Sequence, residues 1–135
     1  CPRDLRIVAW IPDNKTSTNL SRSRLPTSVS FDEAVTAVAR SSLLVAAIAN
    51  GDLEAMRSAC QDNLHQPTRL ADIPESAQAI ASAWEHGACA AWLSGSGPTV
   101  AAFVEVDQAE ALSTALPDSG HCKIMEVAPY GISVS

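Results

Sequence analysis

Leu93-Ser94-Gly95-Ser96-Gly97-Pro98-Thr99 lies between two apolar runs, Ala88 to Leu93 and Val100 to Val104, each long enough for one strand. Two glycines within three positions permit positive φ at no steric cost, so the backbone can reverse sharply. The stretch therefore predicts a β-hairpin. The N–H groups of such a turn can also converge on one point and form a small anion nest. Pro98 donates nothing, which leaves Gly95, Ser96, Gly97 and Thr99 with the Ser and Thr hydroxyls as donors. On these residues alone, a plain hairpin turn and a phosphate-binding turn both stand.

Upstream of the hairpin, Leu5 to Ile11 is a β-rich run closed by Pro12-Asp13-Asn14. Residues 13–30 are polar and carry Arg22 and Arg24, with Leu25-Pro26 closing any short helix there. Ser30-Phe31-Asp32-Glu33 has the form of a capping box. The helix it opens starts amphipathic and becomes apolar from Leu43 to Ala49, a pattern that predicts deep burial. Asn50-Gly51 suits a left-handed cap, and Asp52 can cap a second helix with Leu53, Met56, Cys60 and Leu64 on one face, broken at Pro67. Residues 65–73 read as a connection. A third helix follows, framed by Asp72 and Glu75 and lined by Ala77, Ile80, Ala81 and Trp84, and Gly87 stops it.

Downstream, Asp107-Gln108-Ala109-Glu110 repeats the capping-box logic for a fourth helix reaching Pro117, and His121 to Val134 alternates as a last strand. The order is β, helices, β-hairpin, α, β. It predicts an α+β domain over residues 1–135: a ferredoxin-like four-stranded antiparallel sheet covered by helices, with extra helices in the first crossover. That plan hosts many functions and decides no chemistry.

Composition bounds what remains. The chain has 135 residues, 47% hydrophobic and 18% charged, enough for one packed core and unlike a disordered segment. A net charge of −6 gives no footprint for nucleic acid or an anionic membrane, and no apolar run reaches membrane-spanning length. Cys1, Cys60, Cys89 and Cys122 are scattered, so they read as reduced thiols of a cytoplasmic protein. His65, His86 and His121 are equally dispersed, and no metal site is expected. A first residue of Cys, entering a strand almost at once, reads as a piece of a longer protein.

Three stretches together resemble the homoserine kinases of the GHMP kinase family of small-molecule kinases. Ser94 to Thr99 resembles the family's third motif, a glycine loop beside the active site. Ser17-Thr18-Asn19-Leu20-Ser21-Arg22-Ser23-Arg24-Leu25-Pro26 is similar to an S-T-x-x-A-R-x-x-L-P segment. Asp62-Asn63-Leu64-His65-Gln66-Pro67-Thr68-Arg69, with Ile73-Pro74, is similar to D-x-x-x-E-P-x-R…I/L-P. The resemblance implies that Arg22 and Arg69 hold the α-carboxylate of L-homoserine, with Asp62, His65 and Gln66 supporting them and Arg24 solvated. Gln66 stands where the family has Glu, and Ser21 where it often has Ala. A planar guanidinium fork suits a carboxylate bidentately and stays charged at any working pH.

By the same resemblance the chain is a C-terminal half. The P-x-x-x-G-L-G-S-S-A loop that wraps ATP phosphates is absent from it, and ATP and Mg2+ would be bound mainly by an N-terminal nucleotide-binding domain. The fragment alone is then expected to be inactive, and the implied partners are its own N-terminal domain and a second copy in a homodimer. Two other readings stand beside this one: a kinase for another small alcohol, such as a mevalonate-type acid, and a stand-alone ferredoxin-like module that senses amino acids or dimerises.

Overall fold

The structure is a computed structural model that describes residues 4–14 and 22–128. Four strands, β1 (Leu5–Pro12), β2 (Ala90–Leu93), β3 (Val100–Glu105) and β4 (Gly120–Glu126), form one antiparallel sheet in the order β2-β3-β1-β4. Two split βαβ units joined through a central β1–β3 pair give that order, so the ferredoxin-like expectation holds. Register pairs Leu5 with Glu105 and Trp10 with Val100, and on the other edge Trp10 with Cys122. The part of the last-strand expectation beyond Ala128 lies outside the described residues, as does the Ser17–Ser21 segment.

The helices are α1 (Phe31–Asn50), α2 (Leu53–Ala59), α3 (Gln66–Leu70), α4 (Pro74–Glu85) and α5 (Ala109–Ala115). Period-two alternation along the strands divides the core. Val8, Trp10, Leu93, Val100, Ala102 and Val104 face α4 and α5, packing on Ala79, Ala83, Ala109 and Leu112. Trp10 is fully buried, and its indole N–H donates to the Pro117 carbonyl at 2.9 Å, so the core's largest side chain leaves no polar group unpaired. On the opposite face Leu5, Ala90, Trp92 and Phe103 meet Ala47 and Met56 of α1 and α2.

Local signals account for several boundaries. Ser30 and Glu33 form the reciprocal capping box, Gly51 takes φ +69°, and the Asp52 carboxylate accepts from Ala55 N at 2.9 Å. Others are corrected. The second helix does not run on to Pro67: it ends at Ala59, and Pro67 lies in the first turn of α3, where a missing N–H costs nothing. The expected 65–73 connection thus contains a helix. α4 buries Ser76, Ala79 and Ala83, with Ile80 and Trp84 at the margin, while Ala81 is exposed; its cap is Ile73, and Asp72 is engaged elsewhere. A 3-10 turn, Val106–Gln108, leads into α5 without the expected side-chain cap.

The deep burial expected of α1 is also overturned. Only Ala47 is buried, and Phe31, Val35, Val38 and Val45 are 82, 51, 67 and 70% exposed. α1 packs one side on α2 and reaches the sheet at Ala47, while its Ala37–Leu44 stretch is separated from the sheet by a cavity of about 280 Å³ floored by Trp92 and Phe103. Helical periodicity reports a wide apolar face but not whether the same chain supplies its cover.

Candidate active site

The glycine turn closes directly on the Leu93–Val100 pair. Ser94 N donates to Thr99 O at 2.8 Å and Gly97 N to Ser94 O at 3.2 Å, so Gly97's N–H is spent inside the turn and is no nest donor. Gly95 and Gly97 have φ of +63° and +75°, the left-handed values the sequence required, and the Gly97–Pro98 bond is cis. Gly97 is doubly constrained, since a Cβ there would lie 3.0 Å from Leu93 Cδ2 and 3.1 Å from Ile73 Cδ1. Ser94 and Gly95 are exposed, while Ser96, Pro98 and Thr99 are half-buried, with Ser96 Oγ 3.5 Å from Gly97 O.

Two buried polar side chains hold this turn from behind. Gln66 is 7% exposed and its Oε1 accepts from Leu93 N at 2.6 Å; Ser76 is 1% exposed and its Oγ donates to Pro98 O at 2.7 Å. The buried Leu93 amide N–H and the half-buried Pro98 carbonyl, at the two stems of the turn, are thereby satisfied. Gln66 was singled out by sequence; Ser76 was not. Its signal is a polar residue on the same face as Ala79 and Ala83, a place that demands a partner.

α3 is set by Asp62. Its Oδ2 accepts from His65 N at 2.8 Å and Gln66 N at 2.6 Å, closing the helix start with a carboxylate. Burial pushes the Asp62 carboxyl up, but the Gln66 and His65 amides, the His65 ring charge and the Leu64 amide more than offset it and hold the group below its ordinary value. One turn into α3, Arg69 Nη1 donates to Gly95 O at 3.1 Å and lies 3.1 Å from His65 Nδ1. In the neutral ring that contact gives His65 the acceptor role at Nδ1, with Nε2 turned toward Asp62 at 4.0 Å. Among the described residues Arg69 Nε is buried without a hydrogen-bond partner. Its guanidinium is therefore fixed in place and incompletely satisfied, a state that costs about 1–3 kcal/mol and needs an explanation.

Arg24 is not simply solvated. It pairs with Asp72, whose N–H donates to Arg69 O at 3.1 Å, so the 22–25 segment is tied to the end of α3. Arg22 lies exposed two residues before Arg24, its carbonyl accepting from Leu25 N at 3.2 Å. The structure thus joins Asp62, His65, Gln66, Arg69 and the glycine turn in one connected cluster and brings the Arg22 segment to its margin. Among the described residues no group of three or more His, Cys, Asp or Glu side chains could hold a metal ion, and no helix is long and apolar enough to cross a membrane.

This fold and this turn belong to a recognised class: residues 44–122 match the family described as GHMP kinases C terminal, and the chain is a member of that family. Among its relatives is the homoserine kinase of Moorella thermoacetica, 43% identical over 132 residues, which cover 95% of this chain and 45% of the relative. A homoserine kinase of Thermus thermophilus is 42% identical over 107 residues, 79% of this chain and 37% of the relative. The crystal structure of the homoserine kinase of Cytophaga hutchinsonii superposes with a TM-score of 0.87 at 23% identity, over 93% of this chain and 42% of that one, which establishes the shared fold. The chain spans less than half the length of these relatives.

Proposed function

We propose that the chain is the substrate-binding C-terminal half of an ATP-dependent homoserine kinase, which phosphorylates the side-chain hydroxyl of L-homoserine to O-phospho-L-homoserine on the way to threonine. The observation that carries this reading is Arg69, held at the mouth of the glycine turn by Gly95 O and His65 while its Nε lacks a partner among the described residues. A small rotation of the guanidinium toward an incoming carboxylate would complete its hydrogen bonding. Arg22, on the segment tied to α3 through Arg24 and Asp72, supplies the second fork.

With the amino-acid end fixed, the hydroxyl is left to point at the γ-phosphoryl group. Positioning of this kind is most of what a phosphoryl-transfer enzyme contributes. The family resemblance assigns Mg2+ and most of the ATP contacts to an N-terminal domain. The glycine turn would close the cleft against that domain, with Asp62 and Gln66 keeping α3 and the turn in register.

The test is a fusion of this chain behind the nucleotide-binding half of the Moorella relative, assayed with homoserine and with mevalonate. Homoserine is the expected substrate, and Arg69→Ala should raise its KM by about tenfold or more while leaving the ATP KM nearly unchanged. Unchanged homoserine kinetics would remove Arg69 from the site, and turnover of mevalonate alone would replace the substrate.

A further inference from the structure

Arg69 has more donors than the fold uses, and His65 decides which are left. Nη1 carries two N–H bonds, and both are taken, one by Gly95 O at 3.1 Å and the other by His65 Nδ1 at 3.1 Å. Those two N–H bonds lie in the guanidinium plane, so two acceptors fix that plane, whereas one leaves it free to swing. Among the described residues Nη2 makes no hydrogen bond, and Nε is buried without one. The unused edge is thus the Nη2–Nε side, where two parallel N–H bonds can meet both oxygens of a carboxylate. In the pattern that residues 62–69 resemble, D-x-x-x-E-P-x-R, no residue type is named at the place of His65.

We infer, resting on the reading of Arg69 as the residue that takes the carboxylate, that His65 is a positioning residue for homoserine which works only as the neutral ring, so that its protonation weakens homoserine binding. An unprotonated Nδ1 offers a lone pair to Arg69. A protonated one sets a donor against a donor and a second positive charge 3.1 Å from the first. The elements around the ring bring it Asp62, whose Oδ2 lies 4.0 Å from Nε2, Arg69 itself, and Arg40 of α1, which lines the same cavity with its guanidinium on the Gln61 carbonyl. The glycine turn, residues 93–99, adds no charged side chain. Asp62 is the counter-ion to which a protonated ring turns, away from Arg69. Its carboxylate offsets the added charge, so the site gains little attraction for homoserine while its guanidinium loses alignment.

The experiment measures kcat and both KM values of the fusion with the Moorella nucleotide-binding half from about pH 5.5 to 8, where a histidine titrates. The parent is compared with His65→Asn, whose Oδ1 puts a lone pair near the place of Nδ1 and takes no proton, and with His65→Phe, which fills the space without an acceptor. The parent's homoserine KM should rise about fivefold or more toward the acid end. His65→Asn should stay near the parent's alkaline value throughout, and His65→Phe should be raised by a similar factor at every pH. The ATP KM should follow one profile in all three forms, so titration of ATP or of the other half cancels in the comparison. Parallel homoserine KM profiles in the parent and His65→Asn would overturn the inference and leave the function standing. A low KM in His65→Phe with a high one in His65→Asn would also overturn it, because the ring would then serve only as packing. A fusion that turns over mevalonate and not homoserine would overturn the function and this inference together. In the 135-residue chain itself, the Arg69 Nε–H resonance should move with the His65 ring titration and stay still in His65→Asn; indifference to that titration would overturn the coupling whatever the substrate.

Discussion

The Arg69 guanidinium donates to the Gly95 carbonyl at 3.1 Å, and one turn earlier in the same helix Gln66 receives the Leu93 amide at 2.6 Å. α3 and the glycine turn are thus held to each other at two points. Arg69→Lys keeps the charge but loses the planar fork, so one head group cannot grip Gly95 and a carboxylate together. Gly95 is exposed and its carbonyl can turn to water, so the stability lost should stay below about 1 kcal/mol. In the fusion enzyme the homoserine KM should nevertheless rise by about tenfold. Urea denaturation and steady-state kinetics on the same variant separate the two effects.

Ser76→Ala removes the donor to Pro98 O at a position that is 1% exposed. A carbonyl left unpaired there should cost about 1–3 kcal/mol, read as a lower urea midpoint at unchanged slope. Amide exchange at Ser94 and Gly97 should accelerate more than exchange in β1, because the lost contact anchors the turn rather than the sheet. Equal acceleration everywhere would mean that Ser76 serves only global packing.

Much of the architecture was readable from local chemistry. The Ser30–Glu33 box, the Gly51 cap, Asp52 and the hairpin at Leu93–Val100 each depend on a few adjacent residues. What escaped depends on contacts that the local pattern leaves undecided or that lie across the fold. α3 was hidden because Pro67 reads equally as a breaker or a starter, and the deciding fact is the Asp62 carboxylate on His65 N and Gln66 N. Ser76 gave no pattern, since its partner lies across the fold at Pro98. α1 was expected inside because its face is apolar, yet nothing described covers Val38 or Val45. Within the site, the resemblance pointed to Arg69 and Gln66, but only the fold shows that both grip the same turn.

Asp62 makes stability depend on acid. Its folded value lies below the ordinary 3.8, so its contribution is present in full above the unfolded value and disappears as pH falls through the folded one. The chain should therefore lose stability below about pH 4, and Asp62→Asn should flatten that part of the curve while lowering stability at pH 7. Glu33, held down by the Ser30 side-chain and backbone hydrogen bonds, acts in the same direction at the start of α1. Denaturation midpoints from pH 2.5 to 7 (roughly the range of carboxylate titration) for the parent chain, Asp62→Asn and Glu33→Gln would apportion the effect. An Asp62→Asn curve parallel to the parent's would show that the carboxylate does not drive it.

Cys60, Cys89 and Cys122 are unpaired thiols, and burial pushes Cys60 up to about 11 and raises the other two. The thiolate is the reactive form, so native Cys60 should alkylate at least about tenfold more slowly at pH 8 than it does in urea. Mass spectrometry after timed iodoacetamide treatment reads each cysteine separately. Fast native labelling of Cys60 would mean that the wall between α1 and the 60–65 loop opens readily.

The two glycines of the turn should respond differently to alanine. Both have positive φ, so a Cβ at either position costs about 1–2 kcal/mol of backbone strain. At Gly95 nothing lies within 4 Å of the added carbon, and the cost should stop there. At Gly97 the carbon would press on Leu93 Cδ2 at 3.0 Å and Ile73 Cδ1 at 3.1 Å. Leu93 is buried in the core, so relief there means repacking, and the penalty should exceed that of Gly95→Ala by about 1 kcal/mol or more. The order should reverse in the fusion enzyme's catalysis per folded molecule. Gly95→Ala moves the carbonyl that Arg69 holds, and the homoserine KM should rise among the molecules that remain folded, although this variant loses less stability than Gly97→Ala. Measuring both variants by denaturation and by kinetics tests whether packing and function are divided between the two positions as the geometry divides them.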